Sequence, residues 1–160
     1  MRVLGVDPSL RSTGYGVVDY DDSRFRLIEA GTIETRATDD LAGRLGDIAQ
    51  SLASVIAATQ PAVMVVEAVF ARAVNPKTTI LMAHARGAAL GAAAGRGLVV
   101  HEFSATTVKR ALVGSGSASK DQVAKMVVRL LGLSRTPRPA DVTDALAIAI
   151  AFAHRNGRAH

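Results

Sequence analysis

Cysteine and tryptophan are absent from the chain, and Phe and Tyr together supply only six residues. Without cysteine there are no disulfides and no thiolate metal sites, which fits a cytoplasmic protein. So few aromatics point to an aliphatic core built on Ala and Val. No apolar run is long enough to cross a membrane. Residues 48–66 carry no charge, but Gln50, Ser51, Ser54, Thr59, Gln60 and Pro61 interrupt them. No signal-peptide pattern is visible, because the chain opens directly on the strand-like run Val3–Val6. Lysine does not occur before Lys77. Residues 1–47 hold six Arg against nine Asp/Glu, a net charge of −3. Residues 48–160 hold thirteen Lys/Arg against five Asp/Glu, a net charge of +8. Three of those five acids are Glu67, Asp141 and Asp144; without them this region is almost purely basic. Such a surface attracts a polyanion, and nucleic acid is the favoured partner. The alternative is a generally basic protein with no such partner.

What is present supports a compact fold. The 160 residues, 49% of them hydrophobic, suit one domain over 1–160 with a single large core. Three strands are expected at about 2–7, 13–20 and 24–35, with turns at Pro8–Ser12 and Asp21–Ser23. Leu41, Leu45, Ile48, Leu52, Val55 and Ile56 fall at helical spacing, with Asp39 or Asp40 as N-cap and Pro61 as the stop. A strand ending at Glu67, a helix over 77–94 and a strand over 98–103 follow. Ser104 is placed to cap a short helix, and Ser119 with Gln122 has capping-box spacing for a helix over 120–131. Pro137 and Pro139 precede a last helix over about 140–155. This order suggests an α/β fold, a five-stranded mixed sheet with helices on both faces. By analogy of layout, it is ribonuclease H-like.

Four acids stand out. Asp7 and Glu67 each follow a short apolar run, so each sits at the C-terminal end of a strand, where open α/β sheets usually bind ligands. Asp141 and Asp144 are three apart and share one helix face. If these elements meet, four carboxylates converge and need a neutralising cation. An all-oxygen set suits Mg²⁺ or Mn²⁺. In a basic protein that combination suggests phosphodiester chemistry on nucleic acid, with two metals roughly 4 Å apart about the scissile phosphate. Asp7, on the first strand, is the expected bridging ligand. Each acid also has a plainer reading. Asp7 can start an Asp-Pro turn, Glu67 can be an exposed strand end, and Asp141 can favour a helix N-terminus.

Other features are more ambiguous. Gly114–Ser117 is either a flexible connector or a backbone cradle for phosphate ahead of a capped helix. It is no Walker A motif, since the Gly-Lys-[Ser/Thr] ending is missing. Lys120 falls in the first turn of that helix, where a cation opposes the dipole; a phosphate partner would explain it. Phe70 is either core or a base-stacking residue beside a basic loop containing Arg72 and Lys77. His84, His101 and His154 lack ligand spacing and are expected to be structural or exposed. Gly87 and Gly91 lie four apart among alanines, which suits either close packing on the protein's own sheet or contact with a second copy.

The chain resembles the RuvC-type Holliday junction endonucleases over essentially its whole length. The resemblance rests on Val6-Asp7-Pro8-Ser9 with Thr13-Gly14-Tyr15-Gly16, on Val66-Glu67-Ala68-Val69-Phe70, and on Ala85-Arg86-Gly87. It continues through Val108-Lys109, Gly114–Val123 and Pro139–Ala149. It implies a homodimeric, Mg²⁺-dependent resolvase that nicks two opposed strands of a four-way DNA junction, leaving 5′ phosphate and 3′ hydroxyl ends. It implies that Asp7, Glu67, Asp141 and Asp144 are metal-binding and catalytic, with Lys109 and Lys120 at the DNA backbone or active site. Phe70 would lie near the junction crossover. A branch-migration motor of the RuvA and RuvB type would be a partner. Ser9, Ala68 and His84 depart from the family's usual residues, and none of them touches the acidic set. Alternative readings are a branched-DNA-binding protein that does not cut, and an RNA-directed nuclease of the same fold. An actin-like phosphotransferase would need a second domain, for which 160 residues leave no room.

Overall fold

A computed structural model of the chain describes residues 1–68 and 75–157. Strands β1 (Arg2–Asp7), β2 (Ser12–Asp21) and β3 (Arg24–Glu34) form an antiparallel meander. Asp22 and Ser23 both take positive φ, the backbone of a two-residue hairpin turn that matches the twist of its strands. Helix α1 (Leu41–Thr59) starts at Asp40, whose side chain accepts from the Gly43 N–H at 2.8 Å. It ends at Gln60, one residue before Pro61. Then come β4 (Val63–Glu67), α2 (Pro76–Ala94), β5 (Val99–Phe103), α3 (Ala105–Val113), α4 (Lys120–Leu131) and α5 (Ala140–Asn156). Ser104 caps α3, and Ser119 with Gln122 closes a capping box on α4, both as expected.

The sheet order is β3-β2-β1-β4-β5, with β4 parallel to both β1 and β5. The expected five-stranded mixed sheet with helices on both faces is therefore present. The strand period of two splits the core. Leu4, Val6 and Met64 pack toward α1 and α2, together with Ile48, Leu52, Ala85 and Ala89. Val3 and Val65 pack on the other side, with Val108, Val127, Leu146, Ile150 and Phe152. Helix α5 is buried from Ala145 through Ala153, the pattern of a helix enclosed in the core.

One boundary matters for function. Ser12, expected in a turn, is the first residue of β2 and pairs with Glu34. The backbone bond from Thr35 N–H to Arg11 carbonyl, 3.1 Å, extends the ladder past it.

Candidate active site

Strand geometry brings the first two acids together. In the parallel pair, Val3 aligns with Val63 and Gly5 with Val65, so residues 3, 5, 7 and 63, 65, 67 share one face. That face is covered by α5. Asp7 and Glu67 thus end neighbouring strands side by side, beneath the start of α5. Asp141 lies in the first turn of α5, and Asp144 stands three residues on, on the same face. The helix lies low because Gly5, Gly14 and Gly16 leave the sheet beneath it without side chains at those positions. A Cβ on Gly5 would come within 2.1 Å of the Ala145 carbonyl oxygen, and one on Gly14 within 2.1 Å of the Asp141 carbonyl oxygen. All four acids line one cavity of about 350 Å³, together with Ser9, Thr78, Met82, Lys109 and Lys120.

The electrostatics of this cavity are strained. Burial first, then repulsion from Glu67 and Asp144, pushes the Asp7 carboxyl up to about 7. Burial also raises Glu67, while its hydrogen bond with Asp7 and the charges of Lys120 and Lys109 pull it back down. Lys120 Nζ donates to Asp144 Oδ2 at 2.9 Å, which raises the lysine's pKa. The Lys120 side chain is 79% exposed, so this ion pair contributes less than about 1 kcal/mol and exchanges easily. Ser12 Oγ donates to Asp141 Oδ2 at 3.0 Å. Among the described residues, no three His, Cys, Asp or Glu side chains stand close enough together to hold an ion as they are. The acids stand instead in three partnerships: Asp7 with Glu67, Asp144 with Lys120, and Asp141 with Ser12. Buried, mutually repelling carboxylates with only oxygen to offer fit a hard divalent cation such as Mg²⁺ or Mn²⁺.

The other expected site residues fall as follows. Lys109, on α3, lines the cavity. Lys120 opens α4, and its partner there is the Asp144 carboxylate. Lys77 is exposed at the start of α2, where the Asn75 side chain accepts from its backbone N–H; it does not line the cavity, although neighbouring Thr78 does. Phe70 and Arg72 lie outside the described residues. The Gly114–Ser117 loop lies between α3 and α4 and does not line the cavity. Gly114 is the left-handed cap of α3, and the Ser115 and Ser117 hydroxyls bond each other at 2.9 Å. His101 stacks on Phe152, and His154 Nδ1 lies 3.3 Å from the Ala111 carbonyl oxygen. Neither lines the cavity, and His84 is exposed on α2. Ser12 and Thr78 were not singled out from sequence. A lone hydroxyl gives no local signal, and the partner of Ser12 is 129 residues away.

A family profile described as Crossover junction endodeoxyribonuclease RuvC matches residues 3–152. The Bordetella avium crossover junction endodeoxyribonuclease RuvC is 51% identical over 154 residues, covering 96% of this chain and 84% of its own length. The Neisseria meningitidis serogroup B protein of the same name is 44% identical over 156 residues, covering 98% and 86%. The solved structure of T. thermophilus RuvC in complex with Holliday junction substrate superposes with a TM-score of 0.91 at 31% identity, covering 99% of this chain and 97% of that one. The yeast mitochondrial Holliday junction resolvase Ydc2, at 16% identity and TM-score 0.69, shares the fold, covering 95% and 77%. The fold is ribonuclease H-like α/β. With the profile running from β1 into α5 and relatives near half identical across almost the whole chain, this protein belongs to the RuvC family of crossover junction endodeoxyribonucleases.

Proposed function

We propose that this protein is a DNA endonuclease that resolves four-way (Holliday) junctions by paired, symmetric, metal-dependent nicks. The observation that carries this reading is the cavity shared by Asp7, Glu67, Asp141, Asp144, Lys109 and Lys120. Four acids without a cation repel one another, and two lysines beside them suit the phosphate that a nuclease must hold. Family membership supports the junction as substrate. A pair of Mg²⁺ ions, or Mn²⁺ in their place, would supply charge neutralisation, a water of lowered pKa and stabilisation of the leaving 3′ oxygen. Asp7, Glu67, Asp141 and Asp144 would hold them, with Asp7 central because every other acid of the set acts on it. Lys120 would exchange its contact with Asp144 for a DNA phosphate, and Lys109 would hold the backbone at the rim. Phe70, Arg72 and, at the start of α2, Lys77 are proposed DNA contacts.

The whole chain, residues 1–160, acts as one nuclease domain in this reading, and a homodimer matches the two-fold symmetry of the substrate. Support for the dimer comes from α2. Ala85, Ala89, Ala92 and Ala93 take its inner face, while a Cβ on Gly87 or Gly91 would meet nothing within 4 Å. Packing on the protein's own sheet therefore does not require these glycines. Ile80, on the same helix, is more than half exposed. A branch-migration motor of the RuvA and RuvB type is proposed as partner on family grounds alone. Among the described residues no helix is long and apolar enough to cross a membrane, and we place the activity in the cytoplasm.

The test is incubation of purified protein with labelled four-way junction and Mg²⁺, with linear duplex as control. Symmetric nicking of the junction that stops with EDTA is expected. Asp7→Asn should abolish cleavage yet keep junction binding, because the amide is nearly isosteric but a poor ligand for Mg²⁺. Equal cutting of linear duplex, or cleavage indifferent to EDTA, would overturn the reading.

A further inference from the structure

Asp141 stands second in α5, a position that offers its carboxylate more than one set of donors. No side chain caps this helix, whose N-cap is Pro139. An acid in the first turn is drawn back toward the open backbone N–H groups there. The sheet supplies another donor, Ser12. Its hydroxyl, on β2, donates to Asp141 Oδ2 at 3.0 Å, across 129 residues of sequence.

Ser12 and Gly14 are two apart on β2 and so project from the same face of the strand. Gly14 leaves room for the Asp141 main chain, whose carbonyl oxygen would lie 2.1 Å from any Cβ there. Ser12 meets the side chain of the same residue. Strand β2 thus seats Asp141 twice, once by an absence and once by a hydroxyl. The seat is itself held in place: Ser12 pairs with Glu34 in the ladder, and the Leu10 carbonyl oxygen just before it accepts from Thr35 Oγ1 at 2.5 Å and from Arg44 at 3.3 Å. The donor's chemistry matters too. A hydroxyl has one proton to give, so it occupies a single oxygen and brings no charge. Lys120 on Asp144 is the contrast, since it cancels the carboxylate's charge.

We propose that Ser12 is a positioning residue: its hydroxyl fixes one oxygen of Asp141 without cancelling the carboxylate's charge and leaves Oδ1 free as the ligand atom for a divalent cation. This rests on the acidic cavity being a metal site. An outer hydrogen-bond partner of a metal ligand typically contributes tenfold or more to metal affinity.

The experiment is Mn²⁺ titration of the full-length, DNA-free protein, followed by electron paramagnetic resonance, for wild type, Ser12→Ala, Ser12→Thr, Asp7→Asn, Asp141→Asn and the Ser12→Ala/Asp141→Asn double variant. Ser12→Ala should weaken Mn²⁺ binding by about tenfold. Ser12→Thr, which keeps the hydroxyl, should recover most of it. In the Asp141→Asn background, Ser12→Ala should have no further effect, as a double-mutant cycle requires for two groups acting as one. Junction affinity in EDTA and the metal-free melting temperature should stay at wild-type values. If Asp141→Asn weakens Mn²⁺ binding and Ser12→Ala does not, the role of Ser12 is overturned while the metal site stands. A fall in melting temperature with the same loss in both backgrounds would make Ser12 merely structural. If neither Asp141→Asn nor Asp7→Asn alters Mn²⁺ binding, the metal reading fails and Ser12 falls with it.

Discussion

The two faces of the sheet use glycine in opposite ways. Under α5, Gly5 and Gly14 exist because there is no space: a Cβ would strike the helix backbone at 2.1 Å in both places. On the other side, Gly87 and Gly91 in α2 look onto open space, with nothing within 4 Å of a Cβ at either. At those two points strand backbone meets helix backbone within a face otherwise packed through side chains, which helps set the height of the helix and hence where Asp141 and Asp144 stand over Asp7. The α1 and α2 face packs through side chains such as Leu4, Ile48, Leu52 and Met64. Side chains adjust by changing rotamer; backbone contacts do not. The site therefore lies on the face with the least freedom, and the surface available to a partner lies on the face with more.

The largest expected effect comes from the charge that the α5 face concentrates. An unfolded aspartate titrates near 3.8, whereas Asp7 in the fold titrates at about 7. Between those values the folded chain binds more protons than the unfolded one, so protonation favours folding. The stability from Asp7 is fully present below about pH 4 and is lost as pH rises to about 7, a change of at most about 4 kcal/mol. Urea unfolding of metal-free protein across this range should show the slope, and Asp7→Asn should flatten it. An unchanged slope in Asp7→Asn would mean that another group titrates.

Next is steric. Gly14→Ala should destabilise by roughly 1–3 kcal/mol, because α5 must lift to admit the methyl group. It should lower cleavage further than the stability loss explains, since Asp141 moves with the helix. Denaturation and single-turnover cleavage measure the two parts. A neutral Gly14→Ala would contradict the close packing on which the comparison rests.

Lys120→Ala should have a smaller, electrostatic effect. Losing one phosphate contact flattens the log-affinity against log-salt slope by about one. The cleavage rate should fall more than the affinity, while the melting temperature hardly moves because the exposed contact with Asp144 contributes little. A clear drop in melting temperature with an unchanged salt slope would assign Lys120 to the fold.

The smallest change is on the opposite face. Gly87→Ala should raise monomer stability by about 0.5–1 kcal/mol, the ordinary gain from replacing glycine inside a helix that has room for a methyl group. Gly87→Leu should leave the monomer folded but shift the sedimentation profile toward monomer at micromolar concentration. A wild-type protein that sediments as monomer under the same conditions would remove the dimer.

Much of this fold was legible along the chain. The apolar runs before Asp7 and Glu67 are short enough to be strands and not helices. Asp40, Ser104 and Ser119 with Gln122 announced their helices because capping acts over three residues. The four acids were legible by their place at the ends of elements. Ser12 is not legible in this way: its local sequence reads as a turn, and only cross-strand pairing with Glu34 makes it the first residue of β2. The helix position of Lys120 points to an anionic partner, but that this partner in the DNA-free fold is the Asp144 carboxylate depends on how α4 and α5 pack.

The sequence by itself determined which residues form strands and helices, where the helices are capped, and which side chains can carry the chemistry, because these depend on periodicity and contacts a few residues apart. Tertiary structure alone decided that residues 5 and 14 must be bare beneath α5, that Asp7 and Glu67 emerge on the α5 side of the sheet, and that Ser12 meets Asp141 across 129 residues. Those outcomes depend on the register between strands and on the height of a helix above them. Both come from packing the whole core at once, which no local stretch of the chain encodes.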